Sequence, residues 1–402
     1  MRIGMMADIY KPHISGVTNY ISLNKARLEE LGHEVFVFTF SGKDPNYKDN
    51  EINVIRSPGI PFFDTGYSFN LRYNLKSRKL LQAMDLVHVH HPFISGSLAL
   101  LYCRRRGIPI VFTNHTRYDL YTQAYTTGVV EIISETAIEA YLPNFCRSID
   151  LVIAPSPGMR DVLRTMGVDV HIEVIPNGVD LKPFKNNRER KNRAEFGFKD
   201  SDVVLIYVGR LGPEKNLQFL LRAVVGAAQA YDHLGLVLVG DGPERDNLQD
   251  RVKYMQLENL VKFTGFIPYE QLPPYFAMAD AFVTASVTEV HPLSVIEAMA
   301  SGLPVLGINS PGIGDTIVDG ETGYLAKEED LAVFTAKLVR LITEHEKRKQ
   351  MGKQAQQAAD QYSIENTTQQ LLYHYHRLVE SKKSGKQSWR GRIDRLLNFG
   401  KT

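Results

Sequence analysis

A rhythm that runs through the chain twice limits its fold more than any single motif does. Short runs rich in Val, Ile and Phe stand at 2–8, 35–40, 86–90, 108–114 and 151–155, with helix-length segments between them. Strands covered on both faces read as nearly continuous apolar runs, so this spacing is the βαβ pattern of a parallel sheet. The rhythm restarts at 203–209, 236–240, 261–266, 281–286 and 303–308. Between the two series lies "VIPNGVDLKPFKNNRERKNRAEFG", where Pro-Asn-Gly marks a turn and the charged run a solvated connection. At 402 residues the chain is too long for one ordinary core and suits two domains of roughly 150–200 residues each. The expectation is an α/β chain of two doubly wound, Rossmann-like parallel-sheet domains, 1–180 and 181–361, facing a cleft that forms the site.

Composition removes several classes. Apolar residues at 44% and charged residues at 23% fit a soluble globular chain and argue against disorder or a fibrous build. A formal net charge of +2 gives no global pull toward nucleic acid, so none is expected as a partner. Cys103 and Cys146 are too few for a disulfide framework, which fits a reducing, cytoplasmic compartment. The opening "MRIGMMADIY" reads as a strand rather than a leader, and no run approaches the ~18 apolar residues of a membrane span. A chain neither secreted nor spanning is expected.

Each candidate motif falls where a strand ends and a helix begins, the place where open α/β sheets bind ligands and helix N-termini attract anions. After the first strand, "DIYKPHISGVTNY" holds Gly16 just before a helix, where a missing side chain lets a phosphate or sugar approach; the plain alternative is a βα turn. After the fourth, "FTNHT" places His115 at the strand's carboxyl end, able to donate a hydrogen bond or shuttle a proton, or else simply structural. In "HVHHP", strand alternation separates His90 from His91, and no acidic or Cys partner stands at ligand spacing. A polar strand end is therefore preferred there to a metal site.

The second series carries the charges. In "YVGRLGPEKN", Gly209 is followed by Arg210, whose fork suits a phosphate, and by Lys215, a point charge; together they suit a diphosphate. "LVGDGPERDNL" repeats the turn with Gly240 and Gly242, which would admit a nucleotide, although neither a full G-x-G-x-x-G nor a P-loop occurs. In "SVTEVHPLSVIEAMASGLPV", Ser294 and Glu297 fit a capping box for a helix beginning near Ser294. Glu289 has no such structural reason. Two carboxylates gripping vicinal hydroxyls, one on a ribose and one on a sugar, would recognise a sugar nucleotide.

In order and spacing, "SGV" at 15–17, "NHT" at 114–116, "PNGVD" at 176–180, "GRLGPEKN" at 209–216, "VGDGPE" at 239–244 and the Glu289 to Glu297 interval make the chain similar to retaining glycosyltransferase family 4, of the GT-B fold, up to about residue 380. The resemblance implies that Arg210 and Lys215 bind the donor diphosphate, with Gly16, Gly209 and Gly240 lining its loops. Glu289 would contact the donor sugar, Glu297 hold the ribose and His115 lie beside the sugar's reacting face. It also implies a helix at 362–385 that crosses back to the first domain. Where many members have Phe-Gly-Leu, this chain has His291-Pro292-Leu293; Pro292 lacks an N–H, which leaves the phosphate contacts to the N–H groups of Leu293 and Ser294, and His291 is placed to alter sugar contacts. The implied reaction is transfer of a hexose from a nucleotide diphosphate sugar, UDP-hexose favoured, with retention at the anomeric carbon. No metal or other cofactor is expected to be required for the chemistry, and a divalent cation would at most stimulate it.

The acceptor is read from the basic segments. The tail "SKKSGKQSWRGRIDRLLNFGKT" holds seven Lys or Arg against one Asp. As a helix, Trp389, Ile393, Leu396 and Leu397 would share one apolar face among Arg390 and Arg392, which makes 386–402 a basic amphipathic tail suited to an anionic membrane. A disordered or packed tail is the alternative. "RYNLKSRKLLQAM" and "YCRRRG" add basic segments in the first domain, and "NHTRYDLYTQAY" resembles the diacylglycerol glucosyltransferase branch of the family. The expectation is a peripheral enzyme at the inner face of the cell membrane that moves glucose from UDP-glucose to diacylglycerol. A transferase with a soluble or polysaccharide acceptor, a nucleotide-sugar epimerase and a non-catalytic sugar-nucleotide binding protein remain as alternatives.

Overall fold

The computed structural model describes residues 1–13, 15–41, 47–61, 68–120 and 135–383. The expected tail residues Trp389, Arg390, Arg392, Ile393, Leu396 and Leu397 lie outside the described residues, as does 121–125 of the loop after His115. The first half holds β1 (Arg2–Met6), β2 (Glu34–Phe40), β3 (Val54–Ser57), a small hairpin of β4 (Ile60–Pro61) and β5 (Ser68–Phe69), then β6 (Leu86–Val89), β7 (Ile110–Thr113), β8 (Leu151–Ala154) and β9 (Ile172–Val174). The second holds β10 (Val203–Val208), β11 (Leu234–Val239), β12 (Val261–Gly265), β13 (Ala281–Val283), β14 (Val305–Asn309) and β15 (Gly323–Lys327).

All pairs in the two main sheets are parallel, in the orders β3-β2-β1-β6-β7-β8-β9 and β12-β11-β10-β13-β14-β15. The order reverses once in each sheet, between β1 and β6 and between β10 and β13. At such switch points the two flanking loops diverge to opposite faces and leave a crevice beyond the carboxyl ends of the strands. The loops after β1, β6, β10 and β13 therefore set the site.

Every residue of β10 and β11 is buried, as expected of strands sandwiched between helices. Alternation divides the first sheet: Ile3, Met5, Val35 and Val37 pack on one face, and Met6, Phe36, Phe38, Val87 and Phe112 on the other. The helix Gly16–Glu30 covers the first of these faces. Ser15 caps it, its side chain accepting from Thr18 N–H while Thr18 answers to the Ser15 backbone. The helix Ile364–Lys383 lies against it, adding Leu371, Tyr375 and Val379 to the first domain's core. Thr368 hydrogen-bonds Asn24 at 3.2 Å, so the chain's last described helix belongs to the first domain by packing.

The connection around Asp180 is less solvated than its charges imply, because Val179, Leu181 and Phe184 are buried in the second domain's core. Contacts also cross the cleft. Val290, from the loop after β13, packs into the first domain's cluster with Tyr118 and Met159, and Asn177 Nδ2 donates to the His291 carbonyl at 3.1 Å. Arg117 donates to the Val287 carbonyl at 3.4 Å.

Candidate active site

On the second domain's side, Lys215 and Glu289 come from the two loops that flank the β10/β13 switch point. Their Nζ and Oε1 atoms are 2.6 Å apart, with the side chains only 19% and 23% exposed. Burial would lower the Lys215 pKa, but the Glu289 carboxylate, with Tyr207 and Glu214 behind it, outweighs burial and raises it. Lys215 is a fixed cation. Arg210 is more open, and its nearest acid is the buried Glu214 at 3.8 Å. Glu214 Oε2 is itself buried without a partner among the described residues. Tyr207 fixes the loop by donating to the Arg210 carbonyl at 3.0 Å.

The capping-box reading of Ser294 and Glu297 is overturned. Pro292 is the N-cap residue, in an extended conformation where its missing N–H is no loss, and the helix Leu293–Ala300 opens two residues earlier than a Ser294 cap requires. No side chain caps this helix. The first-turn N–H groups of Leu293 and Ser294 are thus left for an anion at the carboxyl end of β13. Glu297 lies one turn inside the helix, 4% exposed, beside the buried Tyr269 hydroxyl. Burial pushes its pKa up to about 7, against the smaller opposing effect of Tyr269.

His291 is buried where the two domains meet. Its ring is buried edge-on against Tyr362 with centroids 4.9 Å apart, and burial pushes its pKa down to about 3. The departure from the family pattern therefore lies in the packing where the domains join.

Gly240 has a reason other than a ligand. A Cβ there would stand 1.9 Å from the Gly209 carbonyl oxygen, and one at Gly242 would stand 2.4 Å from the Leu211 carbonyl oxygen. The glycines let the two Gly-rich loops lie on each other, so both support the Arg210 to Lys215 loop from beneath. Gly16 is the opposite case, with nothing within 4 Å of an added Cβ and open space at the helix start.

The first domain's side is built from rings. His115 follows β7, half-buried, with its Nε2 3.1 Å from His90 Nδ1 and its ring 4.7 Å from Tyr20. Burial, and then His88 and His91, push its pKa well below the ordinary value, so His115 is neutral. His13, in the loop after β1, also has a lowered pKa, first from burial and then from the positive charge of Arg210 across the cleft. The sequence reading set His90 aside as part of a polar strand end and did not single out Tyr269 or Val290. For His90, the only available signal was that His88 and His90 alternate onto one side of a strand next to His115.

Among the described residues, no group of three or more His, Cys, Asp or Glu is placed to hold a metal. Two cavities of about 320 and 390 Å³ lie near Asp280 and Pro304, at the amino ends of β13 and β14. That is the pole opposite the charged loops. The site is therefore assigned by the switch-point chemistry and not by the size of a hollow.

Two facing Rossmann-like domains, with paired cations and carboxylates on one side of the cleft and a neutral histidine on the other, define a GT-B glycosyltransferase. Residues 14–183 match the profile of Glycosyltransferase Family 4 and residues 188–358 that of the glycosyl transferases group 1, so the chain belongs to this family. The alpha-monoglucosyldiacylglycerol synthase of Streptococcus pneumoniae is 34% identical over 343 residues, covering 83% of this chain and 77% of that one. The enzyme of the same description from Acholeplasma laidlawii is 30% identical, covering 82% and 86%. Anabaena HepE in complex with UDP and glucose superposes with a TM-score of 0.73 at 22% identity, over 93% and 99% of the two chains, which supports the fold.

Proposed function

We propose that this glycosyltransferase moves glucose from UDP-glucose to 1,2-diacylglycerol, with retention at the anomeric carbon, while docked on an anionic membrane. The observation that carries the donor half is the Lys215–Glu289 pair: a fixed cation and a sugar-hydroxyl acceptor 2.6 Å apart at the switch point. Arg210 and Lys215 hold the diphosphate and stabilise the charge that grows on it as the glycosidic bond breaks. The free N–H groups of Leu293 and Ser294 add donors, and the open start at Gly16 leaves room for the phosphates. Glu289 binds hydroxyls of the sugar, and Glu297 those of the ribose. His115 lies at the sugar's reacting face, where the leaving phosphate takes the acceptor's proton. This reaction contains no step that needs a metal, and turnover that survives EDTA is expected.

The acceptor half rests on the two relatives that are described as making monoglucosyldiacylglycerol and on one surface of the first domain. Their alpha product matches retention from a nucleotide sugar that is itself alpha-linked. Leu71 and Leu75 are 78% and 74% exposed, with the exposed Arg72, Lys76 and Lys79 around them. Arg78 lies over the Tyr102 ring at 5.1 Å, which joins this segment to Leu101 and the exposed Arg104, Arg105 and Arg106. Apolar side chains among cations fit a surface that enters an anionic headgroup layer. Among the described residues no helix is long and apolar enough to cross a membrane.

A donor and acceptor panel tests the proposal. UDP or GDP release is followed for UDP-glucose, UDP-galactose, UDP-N-acetylglucosamine and GDP-mannose, with and without diacylglycerol vesicles, and the product's anomeric configuration is read by NMR. UDP-glucose turnover that depends on the lipid and gives an alpha product is expected. Failure of every hexose donor with lipid would overturn the reading. Sedimentation with phosphatidylglycerol vesicles should fall for Leu71→Glu/Leu75→Glu and for a chain ending at 385.

A further inference from the structure

The histidines at the end of β6 have no part in the reaction as derived so far. His88 is fully engaged, with Nδ1 2.6 Å from the Tyr375 hydroxyl and Nε2 2.7 Å from Thr113 Oγ1. His91 Nδ1 accepts the Asp8 N–H at 3.2 Å. His90 differs. Its Nδ1 lies 3.1 Å from His115 Nε2, while its own Nε2 is buried with no hydrogen-bond partner among the described residues. Tyr20 wedges against both rings, with centroids 5.6 Å from His90 and 4.7 Å from His115. The His115 ring is thereby held from two sides.

Burial keeps both imidazoles neutral, so each carries one N–H, and one of those must lie between the facing nitrogens. Two arrangements are open. If His115 Nε2–H donates, the proton of His90 sits on its Nε2, a buried donor with no acceptor among the described residues. If His90 Nδ1–H donates, that Nε2 is only a bare lone pair. Buried donors left without an acceptor are the rarer and costlier defect, so the second arrangement prevails. His115 then accepts at Nε2 and carries its proton on Nδ1, the reverse of the form a free histidine side chain favours in water.

We propose that His90 is a positioning residue that fixes the ring orientation and the Nδ1–H tautomer of His115, so that His115 meets the bound sugar nucleotide as a hydrogen-bond donor at Nδ1. The proposal rests on the placing of His115 at the sugar's reacting face. Its atomic part concerns only the chain itself.

Two-bond 15N–1H correlation spectra of the histidine-labelled full chain, without substrate, read the tautomer. The wild type is expected to show the Nδ1–H form at His115. His90→Asn, whose side-chain amide N–H takes the place of Nδ1–H, should keep that form, and His90→Leu should release His115 to the Nε2–H form. In turnover, His90→Leu should lower kcat by about 30-fold with the donor KM nearly unchanged, and His90→Asn should recover most of the loss. An Nε2–H form in the wild type, or a His90→Leu protein with an unchanged tautomer, overturns the proposal. A shifted tautomer with unchanged kcat overturns its link to the reaction. If His90→Leu fails to fold, the wild-type and His90→Asn spectra still decide the tautomer. Because the spectra need no substrate, a misread donor or acceptor would appear in the panel above and leave this result standing.

Discussion

At the switch point of the first sheet, between β1 and β6, the loops carry His13, His90 and His91, with His115 one strand further on. At the switch point of the second, between β10 and β13, they carry Arg210, Glu214, Lys215 and Glu289. The strand orders around the two points match. The first set is neutral: burial lowers the pKa of each histidine, helped by Arg210 at His13 and by neighbouring histidines at His90 and His115, and opposed by Asp8 at His91. In the second, burial lowers the Lys215 pKa but Glu289, Tyr207 and Glu214 together outweigh it, so Lys215 stays protonated. A leaving diphosphate needs fixed cations, whereas an acceptor hydroxyl entering from a lipid needs a face without competing charge. One architecture, used twice, carries a charged set on one side and a neutral set on the other by changing only the loops at the strand ends, the division that the proposed function calls for.

Removing the charge from the second side should have the largest effect. Lys215→Ala is expected to lower kcat/KM by about 10³-fold, close to 4 kcal/mol of lost stabilisation of the developing diphosphate charge, measured by UDP release. Packing in the same loops gives the next contrast. Gly240→Ala pushes a Cβ into the Gly209 carbonyl and should destabilise the chain by about 3 kcal/mol in a denaturant melt. Gly16→Ala, at the open helix start, should change stability by less than about 0.5 kcal/mol while weakening donor binding.

Glu297 tests the second side by pH. Its folded-state pKa of about 7 lies above the ordinary 4.5, so the folded chain holds this proton more tightly than the unfolded chain does. The stability it contributes is complete below about pH 4.5 and is lost as pH rises to about 7. The loss is about 3 kcal/mol at most. Glu297→Gln should flatten that slope in melts across pH 4.5–8 and leave the protein more stable at pH 8, yet weaker in donor binding. On the neutral side, His115→Ala should cost about 10²-fold in kcat, with the donor KM little changed.

The comparison also shows what the linear chain could reveal. Long apolar runs such as "VVLIYVG" marked the central strands, because both their faces are buried. β3, β9 and β15 were missed: "VIRS", "IEV" and "GYLAK" are short edge strands, each carrying a charged residue that breaks the apolar run. Position at strand ends singled out Arg210, Lys215, Glu289 and His115, and the fold pairs Lys215 with Glu289, leaves the more open Arg210 beside Glu214 in the Lys215 loop and sets His115 on the facing domain. The helix start near Ser294 was legible to within a residue, but its cap was misassigned because Ser294 and Glu297 imitate a capping box, while the conformation of Pro292, which decides the matter, is a tertiary outcome. Gly240 resembled a nucleotide turn because a glycine required by a neighbouring loop looks in sequence like one required by a ligand. His90 acquires its partner only when β6 and β7 lie side by side.

UDP affinity, titrated by calorimetry into the wild type, Lys215→Ala and His115→Ala, tests the division between the two sides most directly. The account predicts that Lys215→Ala weakens UDP binding by about 10²-fold and that His115→Ala leaves it within about threefold of the wild type while abolishing most turnover. Equal losses of UDP affinity in the two variants, or none in Lys215→Ala, would contradict it.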